Sequence, residues 1–410
     1  MLRNRNFMFL WFVNVATTFA IELFTVTILV TIFEQTDSTL LAAGTMVART
    51  LPAFLLGPVA GVLVDRFPRK IVIISMDTIR LLLIGLTVWL LQNDTAIPVV
   101  GFYLILVGLS SADVFHRPAR LSLIPSLVAH SQLVSANSFI LVSNQIGLAI
   151  SYTIGSWLIL TLPMVQIAIG IALLFGSVIL VASLIVVPKQ QKAKNSDGRE
   201  SFRKTVVEGW QYLRRHPIAR PLTIMETIEH VPHGIWTGAV MLTFTILALD
   251  ANVTEWGYQV TGYFVGMIVG SVLAMVMERW LKLYPGRIIV TTACVAGIMT
   301  LAYALSPTVE VAVIIAFIFG PPFAMRDVAQ DSLLQGTVEQ GQLGRVYATR
   351  QMLSNMVYMF AGMFFAWLSA YFPIRIIYVI GGIIYIFTGL YALSNKALRD
   401  SKMNPDVEAI

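Results

Sequence analysis

The sequence predicts an all-α polytopic membrane protein with twelve transmembrane helices in two six-helix pseudo-repeats. Three observations carry that reading. Of 410 residues, 57% are hydrophobic and 12% are charged, whereas a soluble domain carries about 25% charged residues. Twelve apolar runs reach the roughly 20 residues needed to cross a bilayer. Lysine and arginine gather in every second loop, which is how membrane orientation is written into a chain.

The first six runs cover residues 7–33, 39–64, 71–92, 97–116, 133–160 and 164–187. The second six cover 221–249, 256–278, 287–305, 309–329, 346–371 and 374–394. Arg3 and Arg5 ahead of the first run imitate a signal peptide. That run continues to Phe33, well past the ~7–15 residues of a signal core, and no small-residue cleavage site follows, so it reads as the first span. One set of loops holds Arg3, Arg5, Arg66, Arg69, Lys70, Arg117 and Arg120, then the stretch from Lys189 to Arg220. Arg279, Lys282, Arg287, Arg345, Lys396, Arg399 and Lys402 continue the same set. The opposite loops (34–38, 93–96, 161–163, 250–255, 306–308, 372–373) contain no lysine or arginine, and Arg375 is the one basic residue close to them. The positive-inside rule then puts both termini and the central loop in the cytoplasm, with the chain in the inner or plasma membrane.

The composition divides the chain into an N-terminal bundle (1–187), a cytoplasmic linker (188–220), a C-terminal bundle (221–394) and a polar tail (395–410). In the linker, Phe202, Val206, Trp210 and Leu213 fall on one side of a helix with charges on the other, as expected of a helix lying on a membrane surface. The two bundles share weak internal repeats. Ser122-Leu123, Val128, Gln132 and Leu133 return as Ser332-Leu333, Val338, Gln342 and Leu343, offset by 210. Phe67-Pro68-x-Lys70-Ile71 returns as Tyr284-Pro285-x-Arg287-Ile288, offset by 217. The net charge of +6 does not point to nucleic acid, because the basic residues sit at helix ends and in the linker. Cys294 alone excludes an internal disulfide framework and points away from a metal-thiolate site. No cofactor or metal is expected; the expected partners are a small-molecule substrate, protons and the bilayer, around a monomer without enzymatic activity.

Between the second and third runs stands Gly61-x-x-x-Asp65-Arg66-x-x-Arg69-Lys70, a very short charged hairpin after a glycine-bearing apolar stretch. It resembles the signature loop of the major facilitator superfamily, and hydropathy, the doubled six-helix pattern and the long middle loop extend the resemblance over the whole chain. The stretch from Asp113 through Val128, followed by Leu133 and Ala136-Asn137-Ser138, is similar to the bacterial branch of macrolide-efflux-like and enterobactin-exporter-like proteins. The resemblance implies two parallel six-helix repeats about a cavity, with export coupled to proton entry. It also implies that Asp65 meets the start of the eleventh helix, with Arg69 and Asp113 extending a cytoplasmic latch. The sequence departs from the family pattern at Pro68, where glycine is usual, and in the fifth run, where Asn144–Gly155 lacks the Gly-Pro pair of many antiporters.

Ionisable side chains inside spans cost at least ~2.5 kcal/mol each on insertion scales, so each needs a reason. Glu22 lies about 16 residues past Asn6, or ~24 Å along a helix, near mid-membrane. A carboxyl there is suited to exchanging a proton, because leaving water penalises its charged form; the alternative is a structural partner for Arg49 at similar depth. Glu226, Glu229, His230 and His233 are spaced three, four and seven apart, which places them on one helical face. They form a candidate proton relay or cation site, against the alternative that the histidines bond neighbouring helices. The His-Glu-x-x-His order of zinc proteases is absent. A cytoplasmic ring of Gly61, Asp65, Arg66, Arg69, Lys70, Asp77, Arg80, Asp113, Arg117 and Arg120, continued by Arg326, Asp327, Asp331, Arg345 and Arg350, forms a candidate gating network. Phe19, Phe24, Trp236, Phe244, Tyr263, Tyr358 and Met359 are candidates to line a pocket for bulky apolar cargo.

Together these point to a secondary active transporter, with proton-coupled efflux of amphipathic drugs or siderophore-like metabolites by alternating access as the leading expectation. Uptake or flipping of lysophospholipid-like cargo is the first alternative, favoured by the missing Gly-Pro pair. A non-transporting membrane sensor or partner protein is the second.

Overall fold

In hydrocarbon a backbone satisfies its own N–H and C=O groups, and the apolar runs do so here as helices. The computed structural model describes residues 3–64, 66–93, 96–129, 132–186, 202–236 and 238–401. The chain divides into two compact units, Met1–Gly198 and Arg199–Ile410.

The first unit contains α1 (Arg5–Thr36), α2 (Thr39–Val64), α3 (Arg69–Gln92), α4 (Val99–Leu121), the short α5 (Ile124–Leu127), α6 (Leu133–Thr161) and α7 (Met164–Leu184). Asn4 starts α1, its side chain accepting from the N–H groups of Asn6 at 3.0 Å and Phe7 at 3.2 Å. The second unit begins with α8 (Phe202–Arg215), α9 (Ala219–His233), α10 (Gly238–Leu249), α11 (Val253–Val276) and α12 (Glu278–Leu283). It continues with α13 (Pro285–Ala304), α14 (Val309–Thr337), α15 (Gln340–Leu368), α16 (Ile374–Ser394) and α17 (Lys396–Arg399). The seventh run is not straight. Pro232 lies inside α9, a tight turn follows at Gly234–Trp236, and α10 departs at 48°. A proline removes a backbone donor and crowds the preceding turn, which is a usual cause of such a break.

Both units pack their passes alike. In the first, α1 lies on α6, α2 on α4 and α3 on α7. In the second, α9 lies on α15, α11 on α14 and α13 on α16. First with fifth, second with fourth, third with sixth: the pseudo-repeat is a repeat of packing. Among the described residues, nine helices are long and apolar enough to cross a membrane, or ten with the bent α9–α10 pass. The fifth pass of the second unit, α15, falls just short of that apolarity because it carries Gln351, Ser354 and Asn355.

Three expectations are corrected. The tenth run extends as helix to Thr337 rather than stopping near 329, because its last turns bury Ala329, Leu333 and Leu334 in the unit's core. Residues 278–283 and 396–399 form the short helices α12 and α17 rather than plain loop and tail. The linker helix α8 does not simply lie on a membrane surface: Leu213 is buried in the same core as Leu222 and Leu333, and α8 packs on α15. The side chains of Phe202 and Val206 lie outside the described residues. Arg375, the basic residue on the otherwise bare side, has a structural explanation. Its guanidinium donates to the carbonyls of Ala304 (2.6 Å), Ser306 (2.9 Å) and Ala248 (2.8 Å), closing the ends of α13 and α10.

The α11–α14 contact brings backbone against backbone. A Cβ on Gly320 would sit 2.5 Å from the Gly266 carbonyl carbon, and one on Gly270 would sit 2.5 Å from Pro321 Cα. Small residues of this kind let membrane helices approach backbone to backbone. Gly320→Ala should lower thermal stability by about 1–3 kcal/mol through overpacking, whereas Gly170→Ala, with open space around it, should not lower it and should gain up to about 1 kcal/mol of helix propensity. Unfolding of both variants in detergent checks this, and equal stability of the two would refute the close contact.

Candidate functional site

In the first unit, two charged clusters are built where helices cross. Glu22 on α1 and Arg49 on α2 meet end to end: Arg49 Nη1 donates to Glu22 Oε2 at 2.8 Å and Nη2 to Oε1 at 2.5 Å. This two-pronged geometry is the strongest a carboxylate and a guanidinium make. Their side chains retain 12% and 32% exposure, so the pair is enclosed but open along one edge.

The second cluster joins α3 and α4. Arg80, Asp77 and His116 are fully buried. Arg80 Nη1 donates to Asp77 Oδ1 at 2.7 Å and Nη2 to Asp113 Oδ1 at 2.8 Å. His116 Nε2 lies 3.2 Å from the other Asp77 oxygen. One arginine thus holds two acids, and Asp113, with 48% side-chain exposure, forms the outer edge. Arg80 Nε and His116 Nδ1 are buried without a hydrogen-bond partner among the described residues. Arg120 is buried nearby.

Arg120 and the exposed Arg117 lie within electrostatic reach of Asp113, whereas Arg69 and Lys70 bond elsewhere. Arg69 donates to the Ser122 carbonyl at 2.8 Å and Lys70 to the Ser183 carbonyl at 2.6 Å. Both carbonyls stand at the C-terminal ends of helices α4 and α7, where positive charge is favoured. Arg66 and Arg117 are exposed. Gly61 lies within α2; Asp65 lies outside the described residues.

In the second unit, the acids of α9 are matched by arginines from α14 and α15. Glu229 pairs with Arg326, both side chains 3% exposed. The Arg326 guanidinium lies 3.9 Å over the Phe323 ring, and its Nη2 is 3.5 Å from Asp327 Oδ1. Arg350 Nε donates to Glu226 Oε2 at 2.8 Å, and its Nη2 reaches Gln330 Oε1 at 3.5 Å. His230 Nδ1 lies 2.8 Å from the Glu226 carbonyl, one turn back on its own helix. His233 stacks on Phe323 at 4.9 Å, lies 5.2 Å from the Tyr358 ring, and approaches the Tyr385 hydroxyl at 3.3 Å. The structure therefore brings Glu226, Glu229, His230 and His233 to one region, as two ion pairs flanked by two imidazoles.

Of the aromatic candidates, Phe24 and Phe244 are fully buried in helix packing. Trp236 packs among Phe319 (4.5 Å), Tyr303 (4.8 Å) and Tyr378 (5.8 Å). Tyr263 lies 6.3 Å from Phe323, at the edge of the His233 stack. Among the described residues, no three His, Cys, Asp or Glu side chains converge as a metal site.

Sequence reasoning missed His116 and the reach of Arg326 and Arg350. The signals were present: His116 is three residues from Asp113, on the same helical face, and the offset of 210 carries His116 onto Arg326. Each unit thus places a basic side chain at the corresponding point of its fourth pass, facing a buried acid on another helix.

Two units of membrane-length helices with ion pairs enclosed among them are those of a polytopic membrane protein. Residues 10–325 match the sequence profile of the Major Facilitator Superfamily, and the chain belongs to that family. It is 28% identical to the uncharacterized MFS-type transporter YjbB of Bacillus subtilis, covering 97% of both chains. It is 24% identical to macrolide efflux protein A of Streptococcus pyogenes over 77% of each chain. Among solved structures it is similar to the nucleoside transporter NupG, with a TM-score of 0.70 at 14% identity over 96% of this chain and 100% of that one. The D-xylose-proton symporter matches with a TM-score of 0.68 at 16% identity, over 95% and 97%.

Proposed function

We propose that this transporter exports amphipathic small molecules bearing positive charge, in exchange for protons, across the cell membrane, with both chain ends in the cytoplasm. The observation that carries the reading is the Glu22–Arg49 pair, enclosed between α1 and α2 yet open at one edge. As it stands the pair is neutral. Protonating Glu22 leaves one net positive charge, and so does admitting a cationic ligand beside the intact pair. A low-dielectric site tolerates one such charge far better than two. Proton and cation then exclude one another, and exclusion at a single alternately exposed site is what exchange requires.

The likeness to macrolide efflux protein A supports export of bulky amphipathic cargo, and the symporter among the structural relatives fits proton coupling in this fold. Alternating access, the mode of secondary transporters, supplies the alternation. The gating role of the Asp77, Arg80 and Asp113 cluster belongs to the same proposal: it ties α3 to α4, so these helices move together.

The test is substrate uptake into inverted vesicles energised by an acid interior, with tetraphenylphosphonium and a macrolide as probes. Accumulation should appear with the gradient and collapse when nigericin dissipates it. Accumulation that survives nigericin would rule out proton coupling, and accumulation of neither probe would rule out this cargo class.

A further inference from the structure

A basic cavity of about 310 Å³ lies at the foot of α9 and α16, apart from every cluster described above. Arg214 and Arg215 enter it from the end of α8, Arg220 from the first turn of α9, and Tyr391 and Asn395 from the end of α16. Among the described residues no carboxylate lines it. All three arginines are exposed, and none has a side-chain hydrogen bond or ion pair among the described residues. Three unpaired guanidiniums around one small cavity repel one another unless an anion sits between them. Their planar forks match phosphate oxygens better than a lysine would.

The surroundings indicate what carries the phosphate. Ile224, 38% exposed, lines the cavity from α9. On α16, Phe387 and Ile383, at 64% and 44% exposure, lie four and eight residues before Tyr391, on the same helical face. Trp210 of α8 is 38% exposed close by in sequence, and tryptophan favours the headgroup level of a bilayer. Phosphate-binding groups thus sit directly above an apolar strip that runs along the membrane-spanning part of α16. A neighbouring cavity of about 610 Å³ shares Arg215 and His216 but contains Glu339, which makes it a poorer anion site.

We propose that this cavity binds the headgroup of an anionic glycerophospholipid, with the phosphodiester among Arg214, Arg215 and Arg220 and an acyl chain along Ile224 and Phe387. Basic pockets beside membrane helices hold such headgroups. Because α8 ends the linker and packs on α15, the lipid fastens the linker's end to the second unit. The site is independent of the proposed proton exchange and of the cargo.

The test is native mass spectrometry of the full chain in detergent, titrated with dioleoyl phosphatidylglycerol and, separately, dioleoyl phosphatidylcholine. At about 1 kcal/mol per basic residue near the headgroups, each single arginine-to-glutamine substitution should weaken phosphatidylglycerol binding about fivefold. The triple variant R214Q/R215Q/R220Q should weaken it roughly a hundredfold. Phosphatidylcholine binding should not change. The triple lysine variant keeps the charge and should retain most of the affinity, which separates loss of the site from loss of the fold. Unaltered phosphatidylglycerol affinity in the glutamine variant would overturn the proposal, as would equal loss in the lysine variant. Displacement of the lipid by millimolar inorganic phosphate would reassign the cavity to a free anion.

Discussion

Arg326→Met is expected to lower the stability of the second unit by about 3–5 kcal/mol, the usual cost of stranding one member of a buried ion pair. Glu229 would keep a charge with 3% side-chain exposure and lose the guanidinium facing it. Arg326 also lies over the Phe323 ring, so packing is lost with the charge. The double variant Arg326→Met/Glu229→Gln should recover most of the loss, since it removes both charges together. Melting in detergent of the wild type and these two variants decides the matter. An unchanged single variant would mean that Glu229 is not held as a buried carboxylate. The neighbouring Glu226–Arg350 pair should behave more mildly, because Glu226 retains 19% side-chain exposure and solvent screens it.

Glu22→Gln is expected to do the opposite: abolish gradient-driven transport while leaving the fold nearly intact. Arg49 keeps 32% side-chain exposure, so losing its partner leaves a charge that water partly solvates. Glutamine preserves the shape and a hydrogen-bond acceptor but neither binds nor releases a proton. Because the variant keeps the net positive charge of the protonated pair, a cationic probe should also exchange only weakly in counterflow, and uptake driven by the acid interior should be lost. Arg49→Lys should be impaired too, since an ammonium cannot reproduce the two-pronged contact.

The architecture was legible because bilayer thickness and backbone satisfaction leave few choices to a chain with these apolar runs. Even the repeat showed, in the offset that relates Ser122-Leu123 to Ser332-Leu333. What the linear pattern hid was pairing across helices. Glu22 with Arg49 could be proposed from equal depth, but Arg326 and Arg350 read as members of a peripheral ring. Their guanidiniums reach Glu229 and Glu226 because α14 and α15 cross α9, and hydropathy carries no information about crossing points. His116 was overlooked because one histidine among apolar residues gives no periodic signal; burial against Asp77 is what distinguishes it. The bend after Pro232 was written in the sequence, yet continuous hydropathy across Gly234–Trp236 concealed it. The amphipathic pattern of α8 was real, but a pattern of that kind fits a protein surface as well as a membrane, and Leu213 packs into protein.

The most direct test of the central proposal is proton release on substrate binding, followed with a pH-sensitive dye in weakly buffered detergent solution. At a pH where part of the protein holds Glu22 protonated, adding tetraphenylphosphonium to the wild type should release protons in proportion to the probe bound. Glu22→Gln, which keeps the net positive charge of the protonated pair, should bind the probe weakly and release none. Binding without proton release in the wild type, or the same release from the glutamine variant, would contradict the exchange proposed at the Glu22–Arg49 pair.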